Sequence, residues 1–328
     1  MPVDVTAVGT DEVFRLYSTC KDDPHTWVLD VRPQKDFKKS HLVLAYSIRL
    51  TADEKALLDY SKNQYALKWS PGCWFGKHVF VYGEAGLKKD HPVLEFFRRD
   101  GRAARVTFFK EGIDAIARAY PFLITSSIKG NVTKRSYPSE LVPSLLYLGD
   151  WDHACDEQQL EALNIRGILT IHNHPNNLRT RSHMKHLKIE APDVDSHDIS
   201  QHFAQSFDFI EEARAGKYGV LVHCGAGVSR SATLCAAYLM RRRLWTCQQA
   251  MMHVVQCRSI VEPNEGFIAC LRAMESALGI GGGALKKGFD ESMAGEKVVV
   301  QEVSEKGGSV GGKERRDGGR EKQRHEHR

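Results

Sequence analysis

The run VLVHCGAGVSRSATLCAAYLM, from Val220 to Met240, places a cysteine, a glycine-containing turn and an arginine within seven residues of one another. The apolar, β-branched residues before Cys224 read as a strand, and the residues from Arg230 onward read as a helix. A strand that turns tightly into a helix points several backbone N–H groups at one spot. The helix N-terminus adds partial positive charge there, so the turn is suited to an anion. A thiol beside that pole has its pKa lowered from ~8.5 into the range ~3.5–7.5, giving a thiolate near neutral pH. Arg230 adds a planar, permanently charged fork that matches phosphate oxygens. A lone cysteine at a strand end is usually a small buried hydrophobe. Here a thiolate, an amide cradle (Gly225, Ala226, Gly227, Val228, Ser229) and Arg230 coincide. The chemistry they permit is covalent phosphoryl transfer to sulfur.

Such a step needs a proton donor for the leaving oxygen. Upstream, APDVDSHDIS presents Asp193, Asp195 and Asp198. Asp198 directly precedes a helical run and suits an N-cap. The segment is expected to move, because an acid must close over substrate and then release product. IHNHPNN carries His172 and His174, but no cysteine or carboxylate stands near them at ligand spacing, so no metal is expected there. The chemistry requires no cofactor.

The elements that would position these groups alternate between strand and helix. SLLYLG, GILTI and GVLVHC read as strands; DEQQLEALNI, ISQHFAQSFDFIEEARAG, RSATLCAAYLMRRR and a further pair ending near Leu278 read as helices. GVLVHC is expected to be central. Before them, WVLDV and KHVFVY are short buried strands, and HPVLEFFRRDG is a helix with Gly101 as its C-cap. Alternation of this kind implies α/β architecture throughout. TSSIKGNVTKRSYPSE, punctuated by Gly and Pro, reads as a linker. The expected division is therefore 1–124, a linker at 125–139, a second domain at 140–280, and a glycine-rich charged tail at 281–328. That tail cannot bury enough apolar surface to offset its ordering entropy. Its closing RHEHR is not expected to bind metal.

HCGAGVSRS matches the H-C-x-x-G-x-x-R-S loop of cysteine-dependent protein phosphatases. Three further stretches resemble the dual-specificity class: LYLGDWDHACDEQQLEALNIRGILTI, SATLCAAYLM, and RSIVEPNEGF, in which Ser259 replaces the usual proline. The resemblance covers roughly residues 140–278. It implies a cysteine-phosphatase fold with a central, mostly parallel sheet flanked by helices. It also implies roles: Cys224 as nucleophile, Arg230 as phosphate ligand, Ser231 assisting thiolate release, His223 ordering the loop and Asn264 bracing it. In that class the acid lies five residues before a D-I or N-I pair. Asp198-Ile199 fits the pair and puts the acid at Asp193, with Asp195 as the alternative. Relatives acting on inositol lipids usually carry lysines in the loop, whereas Gly225, Ala226, Val228 and Ser229 are uncharged. This favours phosphoproteins.

VLDVRPQKDFKKSHLVLAYSIRL and RVTFFKEGIDAIARAYP resemble rhodanese-like domains, with Glu111-Gly112 where two glycines are usual. Gly83 occupies the position of the rhodanese cysteine, so no sulfur transfer is expected; Cys73 reads as structural. A rhodanese-like domain before a dual-specificity domain is the layout of MAP-kinase phosphatases. Their docking arginines are absent from LTADEKALLDYSKNQYALKWS, and RRDGRAAR reads as a solvated helix end.

The expected function is hydrolysis of phosphotyrosine and phosphoserine or phosphothreonine in proteins, with MAP kinases the first candidates. The alternatives are a phosphoprotein-binding adaptor and a lipid or glucan phosphatase. A net charge of +5 spread over 328 residues is no nucleic-acid footprint. No apolar run approaches the ~20 residues that span a bilayer. Eight scattered cysteines without a C-x-x-C pair, and an N-terminus without a signal-peptide pattern, lead to the expectation of a cytoplasmic or nuclear protein.

Overall fold

The computed structural model describes residues 3–19, 26–50, 56–59, 67–68, 74–126, 136–180 and 182–280. Cys73, most of the segment compared with a kinase-docking site, and the tail from 281 lie outside the described residues. Among the described residues two large sheets and one short two-stranded pair form the framework, and Met1–Gly282 group as one compact unit.

The N-terminal sheet is built from β1 (Val5–Ala7), β2 (Thr26–Asp30), β4 (Tyr46–Leu50), β5 (Ala56–Asp59), β6 (Leu67–Lys68), β7 (His78–Tyr82) and β8 (Arg105–Phe109). Its order is β1-β8-β7-β2-β4-β5-β6. Pairing is parallel from β1 to β4 and antiparallel beyond. A short pair, β3 (His41–Leu42) with β9 (Ile124–Thr125), lies apart. Four helices accompany it: α1 (Thr10–Thr19), α2 (Gln34–Lys39), α3 (Pro92–Asp100) and α4 (Ile113–Ala119). Gly101 ends α3 in the left-handed region at φ 66°, where a Cβ-free residue is least strained. Of the basic run around it, Arg98 pairs with Glu95 and Arg102 with Asp100, both guanidinium groups half-exposed.

The C-terminal sheet contains β10 (Ser139–Val142), β11 (Leu146–Gly149), β12 (Ile165–His172), β13 (Lys185–Glu190) and β14 (Gly219–His223), in the order β10-β11-β14-β12-β13. Only the β10–β11 pair is antiparallel, and β14 is central, as its unbroken apolar sequence requires. Helices α5 (Trp151–Cys155) and α6 (Glu157–Ala162) follow β11; α7 (Phe203–Ala215) precedes β14; α8 (Arg230–Arg243), α9 (Cys247–Cys257) and α10 (Glu265–Ala277) complete the fold.

Strand alternation divides the apolar residues between two cores. Leu146, Leu148, Leu169, Ile171, Val220 and Val222 join the cluster covered by α7 to α10. Tyr147, Ile168 and Leu221 face the other way and join Leu160 and Leu163. That second cluster continues into the N-terminal half through Val13, Phe14, Tyr17, Phe122 and Tyr137. Across the same boundary, Ser139 Oγ donates to the Ser18 carbonyl at 3.3 Å and Arg15 pairs with Glu140 at 3.1 Å.

Candidate active site

Open parallel sheets hold ligands beyond the carboxyl ends of their strands, and the chemistry-bearing residues gather there. Cys224 leaves the end of β14 and is 2% exposed. Its Sγ accepts a hydrogen bond from the Gly227 N–H at 3.3 Å and from Ser231 Oγ at 3.2 Å. Burial pushes the thiol up, yet the net shift is downward. The Ser231 hydroxyl and the N–H groups of Ser231, Gly227 and Val228 favour the anion more strongly than burial opposes it. Gly227 sits at φ 70°, and a Cβ there would lie 2.4 Å from the Gly149 carbonyl oxygen. The turn therefore requires glycine.

Arg230, at the first position of α8, is nearly buried. Its Nη1 donates to Asn173 Oδ1 at 2.6 Å and to the Ala191 carbonyl at 2.9 Å. These two acceptors lock one edge of the guanidinium. Nε, on the other edge, lies 3.3 Å from Asp193 Oδ2 at ion-pair distance, but it makes no hydrogen bond. A fork held this way still has donors for phosphate oxygens.

Of the three aspartates, Asp193 is the one joined to the loop. Its Oδ1 accepts from Ser229 Oγ at 2.7 Å and from Asn264 Nδ2 at 3.1 Å. Asp198 caps the turn that begins at Ile199, accepting from the Ser200 N–H. The backbone of Asp195 lies against Gly266, whose added Cβ would fall 2.0 Å from the Asp195 carbonyl oxygen.

Residues 146–277 match the family described as dual specificity phosphatase, catalytic domain. This stretch is similar to dual specificity phosphatase catalytic domains. "Dual specificity protein phosphatase Mpk3" of Drosophila melanogaster is 40% identical over 142 residues, covering 43% of this chain and 34% of that protein. "Dual specificity protein phosphatase 1" of Homo sapiens is 34% identical over 203 residues, covering 54% of each. The chain thus spans about half, or less, of the length of these two relatives. The crystal structure of DUSP15 is similar at 30% identity with a TM-score of 0.41, covering 43% of this chain and 88% of that one.

One side chain makes contacts other than those the resemblance implied. Asn264 does not brace the phosphate loop directly: it caps α10 and holds Asp193. Ser229 spends its hydroxyl on Asp193, so its side chain ties loop to acid. The loop's direct brace is Arg258, which the sequence reading did not single out. Its Nε donates to the Gly227 carbonyl at 3.0 Å, and its Nη2 to Ala226 at 3.1 Å and Asp150 at 3.3 Å. Arg258 opens the RSIVEPNEGF stretch, so the signal was present without its meaning. Asn173, the acceptor for Arg230, carries no motif signal in the sequence, where the adjacent histidines His172 and His174 point only to the question of metal binding. Among the described residues, no three His, Cys, Asp or Glu side chains are grouped to hold a metal. His223 is fully buried beside Cys224, and its Nδ1 lies 3.1 Å from the Cys224 carbonyl oxygen.

Proposed function

We propose that the protein hydrolyses phosphotyrosine and phosphoserine or phosphothreonine in proteins through a cysteinyl-phosphate intermediate. The phosphoryl group binds to the loop N–H groups and to Arg230. The Cys224 thiolate attacks phosphorus while the bond to the leaving oxygen breaks, and Asp193 gives that oxygen its proton. The resulting Asp193 carboxylate then takes a proton from water, which attacks the phosphocysteine and releases inorganic phosphate. Ser231 hydrogen-bonds the departing thiolate. The observation that carries this reading is the buried Cys224 sulfur held by the Gly227 N–H and Ser231 Oγ beside the Arg230 fork.

MAP kinases are the substrates proposed first, on the strength of the two-part layout and the uncharged loop. We read residues 1–124 as a rhodanese-like domain without sulfurtransferase activity. A Cβ at Gly83, where such enzymes carry their cysteine, would lie 2.8 Å from Val31 Cγ2, so the site has no room for a thiol without displacing Val31. The six described cysteines are all free thiols, which favours a reducing compartment, cytoplasm or nucleus.

The test is direct. The full chain should hydrolyse para-nitrophenyl phosphate equally well with and without EDTA. It should also release phosphate from both residues of a peptide carrying phosphothreonine and phosphotyrosine. Cys224→Ser should abolish turnover yet retain phosphoprotein on a column. Metal dependence, or near-normal turnover by the Cys224→Ser variant, would remove the mechanism.

A further inference from the structure

Two side chains that the mechanism does not use, Thr170 and His223, connect the half-buried His186 to Cys224. His186 Nε2 lies 2.7 Å from Thr170 Oγ1, and Thr170 Oγ1 lies 2.7 Å from His223 Nε2. His223 Nδ1 lies 3.1 Å from the Cys224 carbonyl oxygen, and Thr180 Oγ1 lies 3.4 Å from His186 Nδ1. Thr170 and His223 are both 0% exposed. They are directly paired across β12 and β14, while His186 reaches Thr170 diagonally from β13.

The direction of this chain follows from counting protons. The Cys224 carbonyl can only accept, so His223 Nδ1 carries a hydrogen. Burial pushes His223 down to about 4, which keeps the ring neutral, so its Nε2 must accept. Among the described residues, the hydrogen that Nε2 accepts is that of the Thr170 hydroxyl. Thr170 has then spent its single donor and must accept from His186 Nε2–H. His186, pushed down to about 4 by burial and by Lys188, is neutral as well, so its Nδ1 is left to accept from Thr180. Every hydrogen bond in the chain points toward Cys224.

We propose that His186 is a positioning residue for Cys224, acting through Thr170 and His223. The relay fixes the tautomer of His223 and therefore the orientation of the Cys224 peptide, from which the sulfur and the first N–H of the cradle both project. Without the His186 donor, Thr170 can turn its hydroxyl away, and His223 loses the partner that holds its proton on Nδ1. The proposal rests on the phosphatase reading above. Other charged or titratable groups face the relay. His186 is approached by Lys188, and His223 by His186, Asp150 and His172. Cys224 itself is approached by Arg258 and Cys235.

The experiment uses the full chain and four variants: Thr170→Val, Thr170→Ser, His186→Phe and His186→Gln. Each is assayed for kcat and KM on para-nitrophenyl phosphate, for the pH dependence of Cys224 alkylation by iodoacetate, and for Tm. Thr170→Val and His186→Phe should lower kcat about tenfold, the effect of one buried hydrogen bond, with KM within about twofold. Their alkylation curves should move to higher pH. Thr170→Ser keeps the hydroxyl and His186→Gln keeps an N–H donor, so both should stay near wild type. Unchanged kcat and an unshifted alkylation curve in His186→Phe would overturn the proposal. So would equal losses in all four variants that track Tm, since that pattern reports packing alone. His186 is half-buried, so its variants remain informative if Thr170→Val does not fold. Should the wild-type protein not hydrolyse the ester, the phosphatase reading fails, while the alkylation curves still report whether the relay reaches Cys224.

Discussion

Burial alone would hold Cys224 protonated, and what reverses this is a set of hydrogen bonds aimed at sulfur. Ser231 Oγ is the only side-chain donor among the described contacts to Sγ, so its contribution can be removed cleanly. In Ser231→Ala the thiol should move up toward its ordinary value. A hydrogen bond to a charged group is worth ~1.5–3 kcal/mol, which corresponds to about one pKa unit or more. The anion is the reactive form, so a raised pKa moves the whole reactivity curve toward alkaline pH. Alkylation near pH 6 should slow about tenfold and recover as pH rises. A curve superimposable on wild type would show that the backbone N–H groups carry the effect by themselves.

At the scale of elements, two glycines set how closely the loops meet. Gly227 lets the phosphate loop touch the end of β11, while Gly266, at the start of α10, lets the acid loop lie against that helix. Gly266→Ala places a Cβ into the Asp195 carbonyl and must push the acid loop outward. Asp193, two residues away, would then leave Ser229 and Asn264. The expected result resembles Asp193→Ala. Turnover of alkyl phosphates, whose leaving oxygen needs a proton, should fall about 100-fold, while para-nitrophenyl phosphate, with a good leaving group, should lose much less. Equal losses on both substrates would mean that the substitution disturbs the nucleophile rather than the acid.

For the whole molecule, the apolar cluster shared by the two halves matters most. Leu160, Leu163 and Tyr147 of the C-terminal half pack in the same cluster as Phe14, Tyr17 and Phe122. A fragment of residues 136–280 would present these side chains to water. At ~25 cal/mol per Å² of apolar surface, the loss amounts to a few kcal/mol, enough to lower Tm by about 5 °C or more. Differential scanning calorimetry of 136–280 against 1–280 decides this. Equal melting temperatures would mean that the N-terminal sheet contributes no cover to the catalytic domain.

The sequence by itself determined that Cys224, the loop N–H groups and Arg230 meet at one turn, because they are contiguous and a strand–turn–helix brings them together. Most strands and helices were legible for a similar reason: the runs GVLV of β14 and LYL of β11 are apolar throughout, which reflects cover on both faces of the sheet. Tertiary structure alone decided the supports. Arg258 reaches Gly227 across 31 residues, Arg230 reaches Asn173 across 57, and Asn264 reaches Asp193 across 71. Such contacts depend on strand order and register, which local pattern does not encode. The same holds for the relay. Thr170 and His186 carry no motif signal, and with His223 they sit on three separate strands; they form a directed chain only because β13, β12 and β14 lie side by side.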